Sequence, residues 1–438
     1  MAFKTCFLVF MVASMTGAAA KSSPVTFNKD VLPILQKNCQ GCHRPGEAPP
    51  MSFLTYQETR PWAKSIREAV LEKRMPPWFA DPHYGKFTND RSLSQSDINT
   101  LVAWVDSGAR EGNPNHAPKP LEFTEGWSIG KPDVVLEMPN EFPLPASGTV
   151  NYQFILLPTD FKEDKWVERV EIRPSNRAVV HHIVSFVAEP GSRIAKGLKP
   201  GQAFAQPNSA PRGRVVDDGT GFVILDPEIL CVYVPGTSGQ SHKPGQAKLI
   251  KAGSSVLLQM HYTTNGQAGS DRTRIGFVFA KEPPAQRMQS MVLANSRFTI
   301  PPGAANHKVD ARITLEDDVT ISSFSPHMHV RGKGFEFRAV YPTGQSEILL
   351  SVPKYDFNWQ LFYYLEKPVT LPKGTRLEIT AYFDNSSANP GNPDPTTEVR
   401  WGDQSWEEMV AGFFDVSVDP RVDPKTLFMK KKTPSSSN

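Results

Sequence analysis

Trp166-Val167-Glu168-Arg169-Val170-Glu171-Ile172-Arg173 is the stretch that decides how most of the chain is read. Trp166, Val170 and Ile172 alternate with Arg169, Glu171 and Arg173, the period-2 signature of a strand with one buried face. Similar runs recur at 178–188, 255–264, 275–280, 320–324, 335–341, 376–383 and 410–416, with few helical periods between them. The chain has 40 prolines and 30 glycines, which suits many short strands joined by turns. Residues 133–285 and 286–420 are therefore expected to form two successive all-β sandwiches of jelly-roll type.

Upstream the periodicity changes. Asn28 or Asp30 is placed to cap a short helix through Val31, Leu32, Ile34 and Leu35. A second helix spans Pro61 to Lys73, with Ala63, Ile66 and Val70 on one face, and Met75-Pro76-Pro77-Trp78 ends it. A third starts at Ser94 or Ser96, carries Ile98, Leu101 and Val105 as its stripe, and meets Gly108 where a C-terminal glycine cap falls. Residues 22–115 read as a small all-α domain, joined to the strands by a linker at 116–132. The chain is thus expected to be multidomain, as its 438 residues suggest.

Residues 1–20 read as a Sec-type bacterial signal peptide: Lys4, an apolar run from Cys6 to Met15, and the small residues Ala18-Ala19-Ala20. The expected location is periplasmic or secreted. Residues 421–438 form a basic tail, expected to be disordered from Lys430. A formal net charge of +3 gives no field to draw nucleic acid. No later apolar stretch reaches transmembrane length.

Cys39-Gln40-Gly41-Cys42-His43 is a c-type haem attachment signature. Two thiols form thioethers to one haem, and the adjacent His43 ligates its iron. Met75 is the preferred second axial ligand, held before two prolines, with Met51 as its rival; a thioether there suits electron transfer. Ala80-Asp81-Pro82, Asn89-Asp90-Arg91 and Trp104, read with Met75, resemble small bacterial cytochrome c domains. Cys231 is left over and reads as a buried apolar residue.

The strand region holds His181-His182, His261, His327-Met328-His329 and Met409. Neutral imidazoles with a thioether suit copper, whereas zinc prefers His, Cys or carboxylate. His327 and His329 face one side of a strand and Met328 the other. His181 and His182 can share an ion only where their strand bends, bulges or ends, with His261 completing that site from another strand. His83, His116, His242 and His307 sit in Pro-, Gly- or Asn-rich loops and read as exposed.

The order of these residues resembles the copper type II, ascorbate-dependent monooxygenases, the family of dopamine β-monooxygenase and peptidylglycine α-hydroxylating monooxygenase. Val179-Val180-His181-His182-Ile183-Val184-Ser185-Phe186 is similar to that family's paired-histidine strand. Leu258-Gln259-Met260-His261-Tyr262 is similar to its third-histidine strand, Pro326-His327-Met328-His329 to its His-x-His strand, and Glu407-Glu408-Met409 to its methionine motif. The resemblance covers about 133–418. It implies two copper ions in separate sandwiches across a wet cleft: an electron-storing copper on His181, His182 and His261, and an O2-binding copper on His327, His329 and Met409.

The same resemblance implies hydroxylation of a substrate C–H bond with O2. Ser325, Ala411 and Phe413 replace the Arg, Asn and Tyr that the peptide-processing relatives use to anchor a substrate carboxylate, so peptide amidation is not expected. Phe413 and Phe414 suggest an apolar pocket if they face the cleft. The expected function is an exported monooxygenase acting on a small molecule, its haem passing on electrons from a redox protein or small reductant. The alternative is a non-catalytic haem and copper protein for electron transfer or copper binding.

Overall fold

The computed structural model describes residues 24–123, 126–205, 222–223, 228–237 and 239–428. The expected signal peptide at 1–20 and the tail from Lys430 lie outside the described residues. No helix among the described residues is long and apolar enough to cross a membrane.

The alternating stretch forms the strand Lys165–Arg173, with Val167, Val170 and Ile172 buried. It belongs to the largest sheet, which runs Val134–Glu137, Arg274–Phe279, Lys165–Arg173, Gln246–Ile250, Gln286–Ala294, Ala411–Val418, Val319–His327 and Tyr363–Leu371 in hydrogen-bonded order. A five-stranded sheet packs on its first half, centred on Gln153–Pro158, Ser255–Tyr262 and Val180–Ala188. A four-stranded sheet of His307–Thr314, Arg376–Phe383, Gly332–Val340 and Ser346–Val352 packs on the second half. Two cores result. One joins Val170, Ile183, Leu258 and Phe277; the other joins Phe324, Phe337, Ile379 and Phe414.

Two parts of the expected architecture need correction. The sandwiches are not independent layers in series: Gln246–Ile250 pairs in parallel with Gln286–Ala294, so one sheet passes through both halves. Lys248 pins this seam. Its Nζ donates to Ile229 O (2.7 Å), Leu230 O (3.1 Å) and Ser290 Oγ (2.8 Å), and Ser290 Oγ in turn donates to Asp415.

The separate all-α cytochrome c domain is not found either; the molecule is mostly β-sheet with a few short helices. Leu32–Asn38, Ala63–Leu71 and Gln95–Asp106 do form helices, and they enclose a small core of Val31, Leu35, Ile66, Leu101 and Trp104. The segment between them is built into the β region. Trp78, Phe79, Ala80 and Phe87 pack on the second sandwich core. Phe87 makes a bridge to Leu365, Thr88 N donates to Tyr364 O (2.8 Å) and Asp81 N to Ser351 O (2.8 Å). The apolar side chains that would enlarge a helical core are used to cover a strand instead.

Ser94 caps Gln95–Asp106 by accepting from Asp97 N, and Gly108 takes φ +99° at its end. The second helix starts earlier than Pro61, at a capping box in which Thr55 and Glu58 satisfy each other's backbone. At the first helix, Asp30 accepts from Thr26 N (2.8 Å), so it reaches back to the cap rather than forming it.

Candidate metal centre

His182 lies directly opposite His261 in the antiparallel pair Val180–Ala188 and Ser255–Tyr262. The register then skips a residue, so that Tyr262 faces Val180 and His181 is the extra residue of a bulge. The bulge turns both neighbouring imidazoles to one side. His181 Nδ1 is 2.9 Å from His182 Nδ1, and His261 Nδ1 is 3.4 Å from it. Ligand atoms of all three lie within 4.8 Å of one another. Two nitrogens bound at about 2.0–2.1 Å to one ion stand about 3–4 Å apart, so the triad is close to a coordinating geometry.

Burial keeps these rings neutral. It lowers the pKa of His181 against the opposing pull of Asp356, and lowers His261 to about 3 with help from His181. His182 is pushed well down by burial first, then by His261, His181, His327 and His329. Neutral imidazoles present lone pairs, as metal binding requires. Leu257 and His261 share a face of their strand, and Leu257 packs with Tyr152 and Phe154 away from the main core. Tyr152 stacks on His261 with ring centroids 4.6 Å apart, and its phenol, raised to about 12 chiefly by burial, bonds Ser405.

The second cluster grows from the strand Val319–His327. Met328 is wholly buried in the core, while His327 and His329 point the other way. His327 pairs with Ala411; Met409 precedes Ala411 by two residues as His329 follows His327 by two. Glu408 ties the two segments together, accepting from His329 N (2.8 Å) and Arg331 N (2.6 Å). Its own carboxyl is raised to about 8, mainly by burial.

Each imidazole has an oriented Nδ1. His327 Nδ1 lies 2.9 Å from Gln360 Oε1 and His329 Nδ1 lies 3.3 Å from Glu407 O. Both partners accept, which favours a proton on Nδ1 and a lone pair on Nε2 of His327; His329 also bonds the Gln404 backbone. Burial lowers both pKa values, His329 to about 3.

The two clusters face each other closely. The Phe357 ring stacks on His181 (6.0 Å, 23°) and meets His329 edge-on (6.2 Å, 82°). Phe413 lies 6.1 Å from His327, whereas Phe414 is buried in the core; strand alternation divides the pair. Ser325 is buried and donates to Leu361 O, and Ala411 is buried. Gln360, Phe357 and Tyr152 carry no motif that marks them in the sequence.

At Cys39–His43 both thiols are free and partly buried. Burial, with Cys42 adding to it, pushes Cys39 up to about 12. His43 stacks on Phe53 (4.4 Å), and its Nδ1 is buried with no hydrogen-bond partner. Burial lowers its pKa while the Met51 backbone opposes. Met51 and Cys39 pack against the same helical core. Met75 is half-buried beyond Ala63–Leu71, its N–H donating to Ala69 O (3.4 Å). Cys42 Sγ is in contact distance of Gly236, whose carbonyl accepts from Arg91 (3.0 Å). Cys231 is buried beside Ser185.

Among the other histidines, His83 and His116 are exposed as expected. His307 instead begins the strand His307–Thr314. His242 is not an exposed loop residue. Its Nε2 is enclosed without a partner, and burial, then Lys248, lower its pKa to about 4 against Asp415.

No family model matches the chain, and no curated protein matches it. Among solved structures, the infectious bursal disease virus Gx strain structure aligns at 9% identity over 67% of this chain and 74% of that one, with a TM-score of 0.18. The VP2 subviral particle of the same virus aligns at 9% identity over 68% and 74%, with a TM-score of 0.20. Likeness at that level supports no conclusion about this chain.

Proposed function

We propose that the chain is an exported copper- and haem-containing monooxygenase that hydroxylates a C–H bond of a small molecule with O2. The observation that carries this reading is the convergence of five histidines: a triad with three Nδ1 atoms together, and a His-x-His pair whose Nδ1 atoms each meet an acceptor. The donor sets fit copper. His181, His182 and His261 would hold one ion, and His327, His329 and Met409 the other. Copper there would supply one-electron exchange and O2 activation.

The remaining work falls to the chain's own residues. Gln360 and the Glu407 carbonyl fix the tautomers of His327 and His329. Glu408 fixes the spacing of the His-x-His segment to the Met409 loop. Phe413 gives an apolar wall beside His327, suited to a substrate without a carboxylate anchor.

The Cys39–His43 segment fits a covalent haem, its orphaned His43 Nδ1 and free thiol pair being the supporting features. Met75, with Met51 as its rival, would supply a thioether ligand to the haem iron. Electrons from an external donor would enter there.

Copper and haem analysis of the purified protein, followed by O2 uptake across a panel of small C–H substrates, tests this reading. The expected result is two coppers and one haem per chain, with substrate-dependent O2 uptake lost in Met409→Ala. Full turnover in Met409→Ala would overturn the assignment of the O2-binding copper. Redox cycling without substrate-dependent O2 uptake would make the chain an electron-transfer protein instead.

A further inference from the structure

We infer that Phe357 is a positioning residue: its ring is the partition that makes two separate metal sites out of five clustered histidines. The inference rests on the copper reading above. The Phe357 ring meets one histidine of each cluster, stacked against His181 and edge-on to His329. His327 and His329 also lower the pKa of His182, as like charges nearby do.

Such closeness creates a problem of ligand sharing. Copper(II) accepts four nitrogens in a tetragonal plane. An ion at the triad therefore gains by recruiting a fourth imidazole from the neighbouring pair, and that would dismantle the second site. A phenyl ring blocks this in two ways. It occupies room against both His181 and His329, and it has no donor atom of its own.

The ring is held in place from its own loop. Gln360 Nε2 donates to Phe357 O (2.8 Å), while the same side chain's Oε1 faces His327. Tyr355 Oη accepts from Met328 N (3.1 Å) and donates to Met328 O (2.8 Å), which fastens the loop to the strand between the two histidines. The partition is thus fixed relative to the sites it separates.

The test compares copper(II) loading and electron paramagnetic resonance of the full chain with Phe357→Ala and Phe357→Leu. The wild type is expected to hold two coppers per chain with two mononuclear signals. In Phe357→Ala the stoichiometry falls from two to one, or a half-field transition from a coupled pair appears. Phe357→Leu keeps apolar bulk and restores the wild-type behaviour. Two coppers with unaltered signals in Phe357→Ala would overturn the inference. If that variant fails to fold, Phe357→Val is held to the same outcomes. A folded wild type that takes up fewer than two coppers would overturn the functional reading itself, and this inference with it.

Discussion

Gln360 Oε1 sits 2.9 Å from His327 Nδ1, and Gln360 is itself 7% exposed and bonded to Tyr355 Oη. An acceptor held this firmly fixes both the ring orientation and the tautomer of His327. Removing it in Gln360→Leu frees the imidazole to turn or to move its proton to Nε2. Copper affinity at the His327, His329 and Met409 site should fall about 10–100-fold, as read by competition with a chromogenic chelator. Affinity at the triad should fall less, since Gln360 reaches it only through the Phe357 loop; an equal loss at both sites would point to general misfolding.

His242 makes stability depend on pH. Its folded pKa lies near 4, below the ordinary value of 6.5. Above pH 6.5 the ring is neutral in both states and its contribution is fully present. As pH falls from 6.5 toward 4 the unfolded chain binds a proton that the folded chain refuses. Stability should then drop by up to about 1.4 kcal/mol per pH unit. Urea midpoints at pH 7 and pH 5 measure the slope; His242→Leu should reduce it by one histidine's share, the rest coming from the other buried histidines.

Lys248 is 1% exposed and gives its three protons to the seam between the halves. Lys248→Met retains the packing but strands the carbonyls of Ile229 and Leu230. The expected loss is about 3 kcal/mol, measured by urea denaturation. A loss below about 0.5 kcal/mol would show that the seam does not rely on this cation.

Gly236 combines φ +80° with contact against Cys42 Sγ. A methyl group added there must displace the thiol. Gly197 has φ +82° and open space around it, so it isolates the backbone effect. Gly197→Ala should cost about 1 kcal/mol of strain. Gly236→Ala should cost more and should also lower the covalent haem per chain, read by haem staining against protein. Equal effects of the two substitutions would show that Cys42 tolerates the intrusion.

Some of this was legible without tertiary structure. Period-2 alternation from Trp166 to Arg173 marks a strand because a sheet buries alternate residues wherever it lies. Ser94 and Gly108 mark helix ends through local backbone chemistry. The Cys39–His43 spacing and the order of the five histidines are properties of the chain itself. The rule that adjacent His181 and His182 need an irregular strand to act together follows from strand geometry, and the bulge supplies the irregularity.

Other features depend on partners far away in sequence. Trp78 and Phe87 look like loop residues near a helix until the Tyr363–Leu371 strand is seen to receive them. That docking is why the helices do not stand apart as a domain. His242 sits in a Pro- and Gly-rich stretch that reads as exposed, and only the strands packed over it reveal the enclosed Nε2.

The sequence by itself determined the strand-rich character, the ends of the Gln95–Asp106 helix and the types of metal-binding side chain, because these rest on local periodicity and residue chemistry. Only the tertiary structure decided that one sheet unites both halves and that Phe357 meets both His181 and His329. It alone also decided that Gln360 and Glu407 orient the second site. Those relations arise when non-local side chains compete for the same space and hydrogen bonds, and no local pattern encodes the winner.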